Sequence, residues 1–409
     1  MIKSKRPARS NLSDYYEPIR LNPVGHDISR SESMRLHEFK RRNLLEHLLK
    51  LPFVMWKGCR VLEFGPASGE NAVVLARHGA KMTFVEPLEY LIDELNAKFA
   101  QAGVSDRIEA IHQDVVETFK SEQRYDFVSA EGFMHFLDDS TAGVRKLTTF
   151  LAPGGFVLVS LIHSAGCFIE FVKTSYLAMA ANALGLESSE ERFELARALF
   201  ADQFQAINHS RNFEKWAKDM LLNPLNRPRH FMDLPKTLSA LPDDVALYSS
   251  WPNYIDADDL IWHKNIKDAA TLRAETLRAY YARAPHFIHS VPCRPGELPL
   301  FDPEDGRRIV SALEAYNKEI ERAILAKAST PARHLAALSK LRRVLAPHSE
   351  ARQSLRIVDE AIALFGAARK ASAREDFVRA WTSCGLHRMW GTPGHYWVFQ
   401  KTDLFSRGK

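Results

Sequence analysis

The stretch Val61-Leu62-Glu63-Phe64-Gly65-Pro66-Ala67-Ser68-Gly69-Glu70 decides the fold. An apolar run ends in an acid, a loop of small residues follows, and a helical pattern opens at Gly69. In an open α/β sheet, ligands bind where strands give way to such loops. Gly65 permits a sharp turn and close backbone approach, and Gly69 opens a helix whose first N–H groups are free. The spacing discriminates between ligands. A dinucleotide fingerprint, G-x-G-x-x-G counted from Gly65, needs glycine at positions 67 and 70. Those positions hold Ala67 and Glu70. A glutamate where a helix start should meet a pyrophosphate is electrostatically wrong. No G-K-[ST] follows, which excludes a P-loop.

Working outward, short β-rich runs alternate with helical runs. RVLEF (60–64), KMTFVE (81–86), RIEAIHQD (107–114), YDFVSAE (125–131) and GGFVLVSLI (154–162) read as strands. GENAVVLARHG (69–79), YLIDELNAKFAQAG (90–103), VVETFKSE (115–122) and STAGVRKLTTFL (140–151) read as helices. Such alternation predicts a doubly wound α/β fold with a mostly parallel, seven-stranded sheet covered on both faces. Residues 1–50 read as an N-terminal arm with a lid helix at 33–50, and 51–165 as the α/β core. Residues 166–374 read as a large, mostly helical insertion that contacts substrate. Residues 375–409 read as a C-terminal β-hairpin completing the sheet, with GTPG as its turn. The aromatic segment SSWPNYIDADDLIWHKN (249–265) is the competing source of the last strands, so either 245–264 or 385–402 supplies them.

The decisive stretch resembles the first motif of the class I (Rossmann-like) S-adenosylmethionine-dependent methyltransferases, an acid followed by alternating glycines. It reads Glu63-x-Gly65-x-Ala67-x-Gly69, with alanine replacing the middle glycine. FVEP ending in Glu86 and Pro87, HQDV around Asp114, YDFVSAEGFMHFLDD (125–139) and LAPGG (151–155) follow in the family's order. The resemblance covers about 60–165 and 376–402. It implies S-adenosyl-L-methionine as cofactor, and the cysteine and histidine spacing predicts no metal. It implies that Glu63, Phe64, Gly65, Pro66, Ala67 and Gly69 cradle the cofactor's amino-acid part. It also implies that Glu86 with Pro87 holds the ribose hydroxyls, that Gln113, Asp114 and Val115 read the adenine, and that Glu131 faces the cofactor.

Methyl transfer is an in-line displacement, so the protein must position a nucleophile, exclude water and at times take a proton. The loop after the fourth strand holds His135, whose intrinsic pKa suits a base, and Glu131; packing against the next turn is the competing role for His135. The family's second histidine is replaced here by Phe136. Tyr16 in the N-terminal arm, Phe133, Trp251, Tyr254 and Trp262 are the expected acceptor contacts, since aromatic faces suit sugars, planar rings and cationic amines. The expected acceptor is an oxygen or nitrogen of a small-molecule or glycan-type metabolite. Two alternatives stay open: an RNA or protein methyltransferase docking through the acid-free span between Glu321 and Glu350, and a non-catalytic cofactor-binding scaffold.

Composition narrows the remaining classes. A hydrophobic share of 46% and a charged share of 26% fit a folded globular chain. A net charge of +5 over 409 residues is too weak a field to demand a nucleic-acid partner. The four cysteines, Cys59, Cys167, Cys293 and Cys384, form no C-x-x-C pair, which argues against zinc or a disulfide framework and for a cytoplasmic protein. No run reaches the roughly 18 apolar residues of a membrane span, and the basic start MIKSKRPARS lacks the apolar stretch of a secretory signal. A homo-oligomer is left open.

Overall fold

The computed structural model describes residues 11–23, 28, 30–207, 211–253, 268–289 and 298–402. Tyr254 and Trp262, two of the expected acceptor contacts, lie outside them.

The chain opens with α1 (Asn11–Ile19) and α2 (Ser31–Arg42). Then come β1 (Arg60–Phe64), α3 (Glu70–Arg77), β2 (Lys81–Val85), α4 (Glu89–Gln101), β3 (Ile108–His112), β4 (Tyr125–Glu131), α5 (Ser140–Thr149) and β5 (Leu151–Ile162). Next are α6 (Phe168–Ala183), α7 (Ser189–Gln205), α8 (Phe213–Trp216), α9 (Leu234–Ala240), β6 (Val245–Trp251) and α10 (Ala269–Arg283). The last elements are α11 (Pro303–Leu325), α12 (Pro331–Leu345), α13 (Arg352–Ala368), α14 (Arg374–Thr382) and β7 (Gly394–Lys401).

The seven strands form one sheet in the order β3-β2-β1-β4-β5-β7-β6. β1 runs parallel to β2 and β4, β2 to β3, and β4 to β5, while β6 and β7 pair antiparallel. This is the doubly wound, mostly parallel sheet expected from the alternating pattern. Strand order reverses between β1 and β4, so their carboxyl ends open the crevice where such sheets bind ligands. Glu63 and Phe64 lie there in register with Ser129 and Ala130.

The chain divides into two compact units. The first, Met1–Leu161 with Leu234–Thr276 and His395–Lys409, holds the sheet. Its core joins Val61, Phe84, Phe127, Leu158 and Val398 from the strands to Trp56, Val74, Leu95 and Phe99 from the helical layer. The second, Ile162–Asp233 with Leu277–Gly394, is helical. Its core gathers Phe168, Val172, Tyr176, Leu313, Leu338, Phe365 and Trp381. Its helices start on strong stops: Asp302 accepts from the Glu304 N–H ahead of α11, and Thr330 caps α12, each with proline at the first helical position.

Three expectations need correction. Residues 385–402 do not form a hairpin; only 394–401 is a strand, and it pairs with β6. The preceding aromatic run is drawn into the helical unit, where Trp390 packs on Trp216 and Phe204 and the Gly391 N–H meets the Glu170 carboxylate. The last two strands therefore come one from each competing segment. Residues 234–276, read as part of the helical insertion, group with the sheet instead. Residues 115–122 make a turn and not a helix. There the Asp114 carboxylate captures the Val115 N–H and the Thr118 hydroxyl, and Phe119 is anchored between Phe64 and Phe150.

Candidate active site at the switch point

The loop between β1 and α3 is a run of alternating left-handed residues: Gly65 at φ 61°, Ala67 at 50° and Gly69 at 81°. Glycine adopts this geometry freely; alanine at 67 carries a cost of about 1 kcal/mol. The Gly65 N–H bonds the Val85 carbonyl and the Gly69 N–H bonds the Pro66 carbonyl, which fixes the loop against β2. A Cβ on Gly65 would stand 2.7 Å from the Phe133 ring, so the half-buried Phe133 can cover this loop only because residue 65 has no side chain. The Phe64 side chain turns into the core against Phe119 and Phe150.

Glu70 is wholly buried, accepting from the Ser68 hydroxyl and from Lys98 of α4, each at 2.6 Å. Its charge is thus turned towards α4 while favouring the start of α3. Asn22 of the N-terminal arm donates to the Ser68 oxygen at 2.7 Å, and Tyr90 donates to the Leu21 carbonyl at 2.9 Å. The arm is thereby held beside the loop. Tyr16 is buried there, with its ring 6.2 Å from that of Phe136.

Three carboxylates meet this region from three strands, Glu63 and Glu86 buried and Glu131 partly buried. Glu86, just past β2, accepts from the Ala67 and Leu88 N–H groups at 3.2 and 3.1 Å. Burial still lifts its pKa to about 7. Glu63, at the end of β1, is pushed up to about 8 by burial and by the nearby Glu131 charge. Its Oε2 is buried without a hydrogen-bond partner among the described residues. Glu131, ending β4, is held in a bidentate pair by Arg41 of α2, one arm at 2.8 Å. Burial alone would lower the Arg41 pKa, yet Glu131 and Glu63 together hold it above the usual guanidinium value. Arg41 Nε is buried and unpartnered among the described residues. Burial, with the Glu131 charge, also raises the pKa of Tyr396 on β7.

Arg41 went unread in the sequence, although a signal existed. The inward stripe of α2 runs Met34, His37, Arg41 and on to Leu45, so an arginine occupies a core position. Among the other expected residues, His135 is buried and packs on the Phe136 ring, with centroids 3.9 Å apart. Trp251 ends β6 opposite Tyr396, rings 6.4 Å apart. Gln113 is exposed and donates to the Pro87 carbonyl at 3.3 Å, while Val115 is buried. Asp114 spends one oxygen on its own turn, as described above. Asp126 accepts from the Arg60 N–H at 2.9 Å, far along β4 from Glu131 and in a structural role.

This arrangement suits a cofactor with hydroxyls and a charged amino-acid end. Left-handed backbone gives close approach, buried acids can accept from hydroxyl or ammonium donors, and an incompletely paired guanidinium can meet a carboxylate.

A family model described as a methyltransferase domain matches residues 34–222. The ubiquinone biosynthesis O-methyltransferase of Coxiella burnetii (strain RSA 493 / Nine Mile phase I) is 28% identical over 107 residues, 26% of this chain and 45% of that protein. The match thus spans about half the length of that curated relative. Among solved structures, the CcbJ methyltransferase from Streptomyces caelestis is 27% identical, covering 31% of this chain and 50% of that one, with a TM-score of 0.27. The glycopeptide N-methyltransferase MtfA complexed with S-adenosylmethionine is 24% identical, covering 26% and 50%, with a TM-score of 0.24. The family match falls on the segment that carries the Glu63–Gly69 loop, Glu86 and Glu131, so residues 34–222 of this chain carry a methyltransferase domain, with S-adenosylmethionine as its cofactor.

Proposed function

We propose that this chain transfers a methyl group from S-adenosylmethionine to an oxygen or nitrogen of a small-molecule or glycan-type metabolite. The observation that carries the reading is the incompletely partnered group at the switch point: Glu63 Oε2 and Arg41 Nε, both buried and both open. A buried polar atom without a partner calls for an explanation, and for these two a bound cofactor supplies one. Bound cofactor supplies an electrophilic methyl carbon on a sulfonium centre. The Glu63–Gly69 loop receives its amino-acid end, with Arg41 available to the carboxylate. Glu86 and Pro87 hold the ribose, and Gln113, Asp114 and Val115 border the adenine. Glu131, engaged by Arg41, is a positioning group that sets a negative charge near the loop. His135 is the candidate base, and Phe133, Tyr16 and Trp251 shape the acceptor space.

The O-methyltransferase relative supports oxygen as one acceptor atom. The alternative of nucleic-acid docking through the acid-free span loses support. Lys340 pairs with Glu319 at 3.0 Å and Arg342 with Asp359 at 2.6 Å, so part of that charge is neutralised locally.

Calorimetric titration with S-adenosylhomocysteine, with NAD in parallel, tests the cofactor site. Micromolar binding of the former alone supports the proposal, and tighter binding of NAD defeats it. A screen of metabolite acceptors then tests the chemistry. With the cognate acceptor, His135→Ala should lower turnover; unaltered turnover removes His135 as a base.

A further inference from the structure

The N-terminal helix α2 has two uses. Its inner side carries Met34, His37 and Arg41 into the fold. Its outer side carries Leu36 and Phe39, one turn apart and 51% and 70% exposed. Val54, in the helical turn Phe53–Trp56, is 80% exposed. Val54 and Phe39 are the two most exposed large apolar side chains among the described residues. The two segments adjoin, because the Arg42 guanidinium lies 4.9 Å over the ring of buried Phe53.

Exposed basic residues lie on the same two segments, Arg35, Lys40 and Arg42 in α2 and Lys50 and Lys57 flanking the Phe53–Trp56 turn. The acids nearby are largely engaged. Glu38 meets His78 at 2.9 Å and Glu46 cancels Arg42 at 3.0 Å, which leaves Arg35, Lys40, Lys50 and Lys57 against the single exposed acid Glu32. Apolar tips between long basic stems form the pattern of an interfacial helix, in which apolar side chains enter the headgroup boundary and the cations stay with phosphates.

We propose that this face docks on the surface of an anionic lipid bilayer. Leu36, Phe39 and Val54 enter the interface while Arg35, Lys40, Lys50 and Lys57 meet lipid phosphates. Charge argues for this occupant over a second copy of the chain, since two such faces would bring like charges together. The contact is peripheral: among the described residues no helix is long and apolar enough to cross a membrane. The proposal does not depend on which acceptor is methylated.

The test is co-sedimentation of the full chain with phosphatidylcholine vesicles and with vesicles of phosphatidylcholine and phosphatidylglycerol. Binding to the anionic vesicles alone, weakening as salt rises, is expected. Phe39→Ser with Val54→Ser should lower that partitioning by about tenfold, and Lys40→Glu by a similar factor. Both variants should keep the melting temperature and the S-adenosylhomocysteine affinity of the parent, because the changed side chains are exposed. Absence of binding to anionic vesicles overturns the proposal. So does binding that the double serine variant leaves intact, which would assign it to charge alone. A dimer in sedimentation velocity that the double serine variant dissolves would assign the face to a second copy instead.

Discussion

Each unit buries a cation against a carboxylate, and the two pairs are finished differently. In the helical unit, Lys173 lies 3.2 Å from Glu170, and the Trp390 ring covers its ammonium at 3.8 Å. Both oxygens of Glu170 also accept from the Gly391 N–H. In the sheet unit, Arg41 grips Glu131, but among the described residues its Nε is unpartnered, and a buried acid, Glu63, stands by with an open oxygen. A closed pair holds a scaffold together, whereas an open one keeps binding capacity in reserve. Burying a charge is costly wherever it occurs, and in the proposed function the cofactor would complete the pairing at Arg41 and Glu63.

The comparison can be broken from its stability side first. Lys173→Met removes one partner of the closed pair and should cost ~3 kcal/mol. Chemical denaturation would read this, and S-adenosylhomocysteine affinity of the folded fraction should be unchanged. Gly65→Val should do the reverse. It places a branched side chain at positive φ against Phe133, and should weaken S-adenosylhomocysteine binding by about 100-fold or more by calorimetry. Equal loss of stability and binding in both variants would erase the distinction. Arg41→Met should lower the same affinity by about tenfold, the weight of a charge-assisted contact.

A smaller effect sharpens the open pair. Glu63 and Glu86 have folded pKa values raised to about 8 and about 7, above the ordinary 4.5. Between these limits the native state binds more protons than the unfolded state, so stability falls as pH rises. The melting temperature of the free protein should therefore decline from about pH 5 to about pH 8, and Glu63→Gln should flatten the upper part of that decline. An unchanged slope would mean that Glu63 is already ionised in the native protein. The smallest effect belongs to Arg342→Ala, an exposed pair with Asp359, which should shift stability by at most ~0.5 kcal/mol.

Legibility followed the range of the interactions. The Glu63–Gly69 loop, the parallel strands and the carboxylates that end them were readable because backbone geometry writes itself into local residue choice. The last two strands were not, because Trp251 finds Tyr396 across most of the helical unit's sequence and no local pattern encodes that pairing. The turn at 115–122 shows a side chain, Asp114, outbidding helical periodicity with its own hydrogen bonds. Arg41 was hidden because a charged residue on an amphipathic helix is read as solvated unless its position in the stripe is counted.

The joining of β6 to β7 also sets a schedule for synthesis. Trp251 leaves the ribosome long before Tyr396, and loop closure of that size is slow. Until β7 emerges, β6 lacks the neighbour that β7 provides, and an unpaired strand edge invites association with other chains. A nascent chain stopped short of Gly394 should therefore be captured by chaperones or aggregate. β7 acts in this sense as a late latch, closing the sheet only after the helical segments between β6 and β7 have been made.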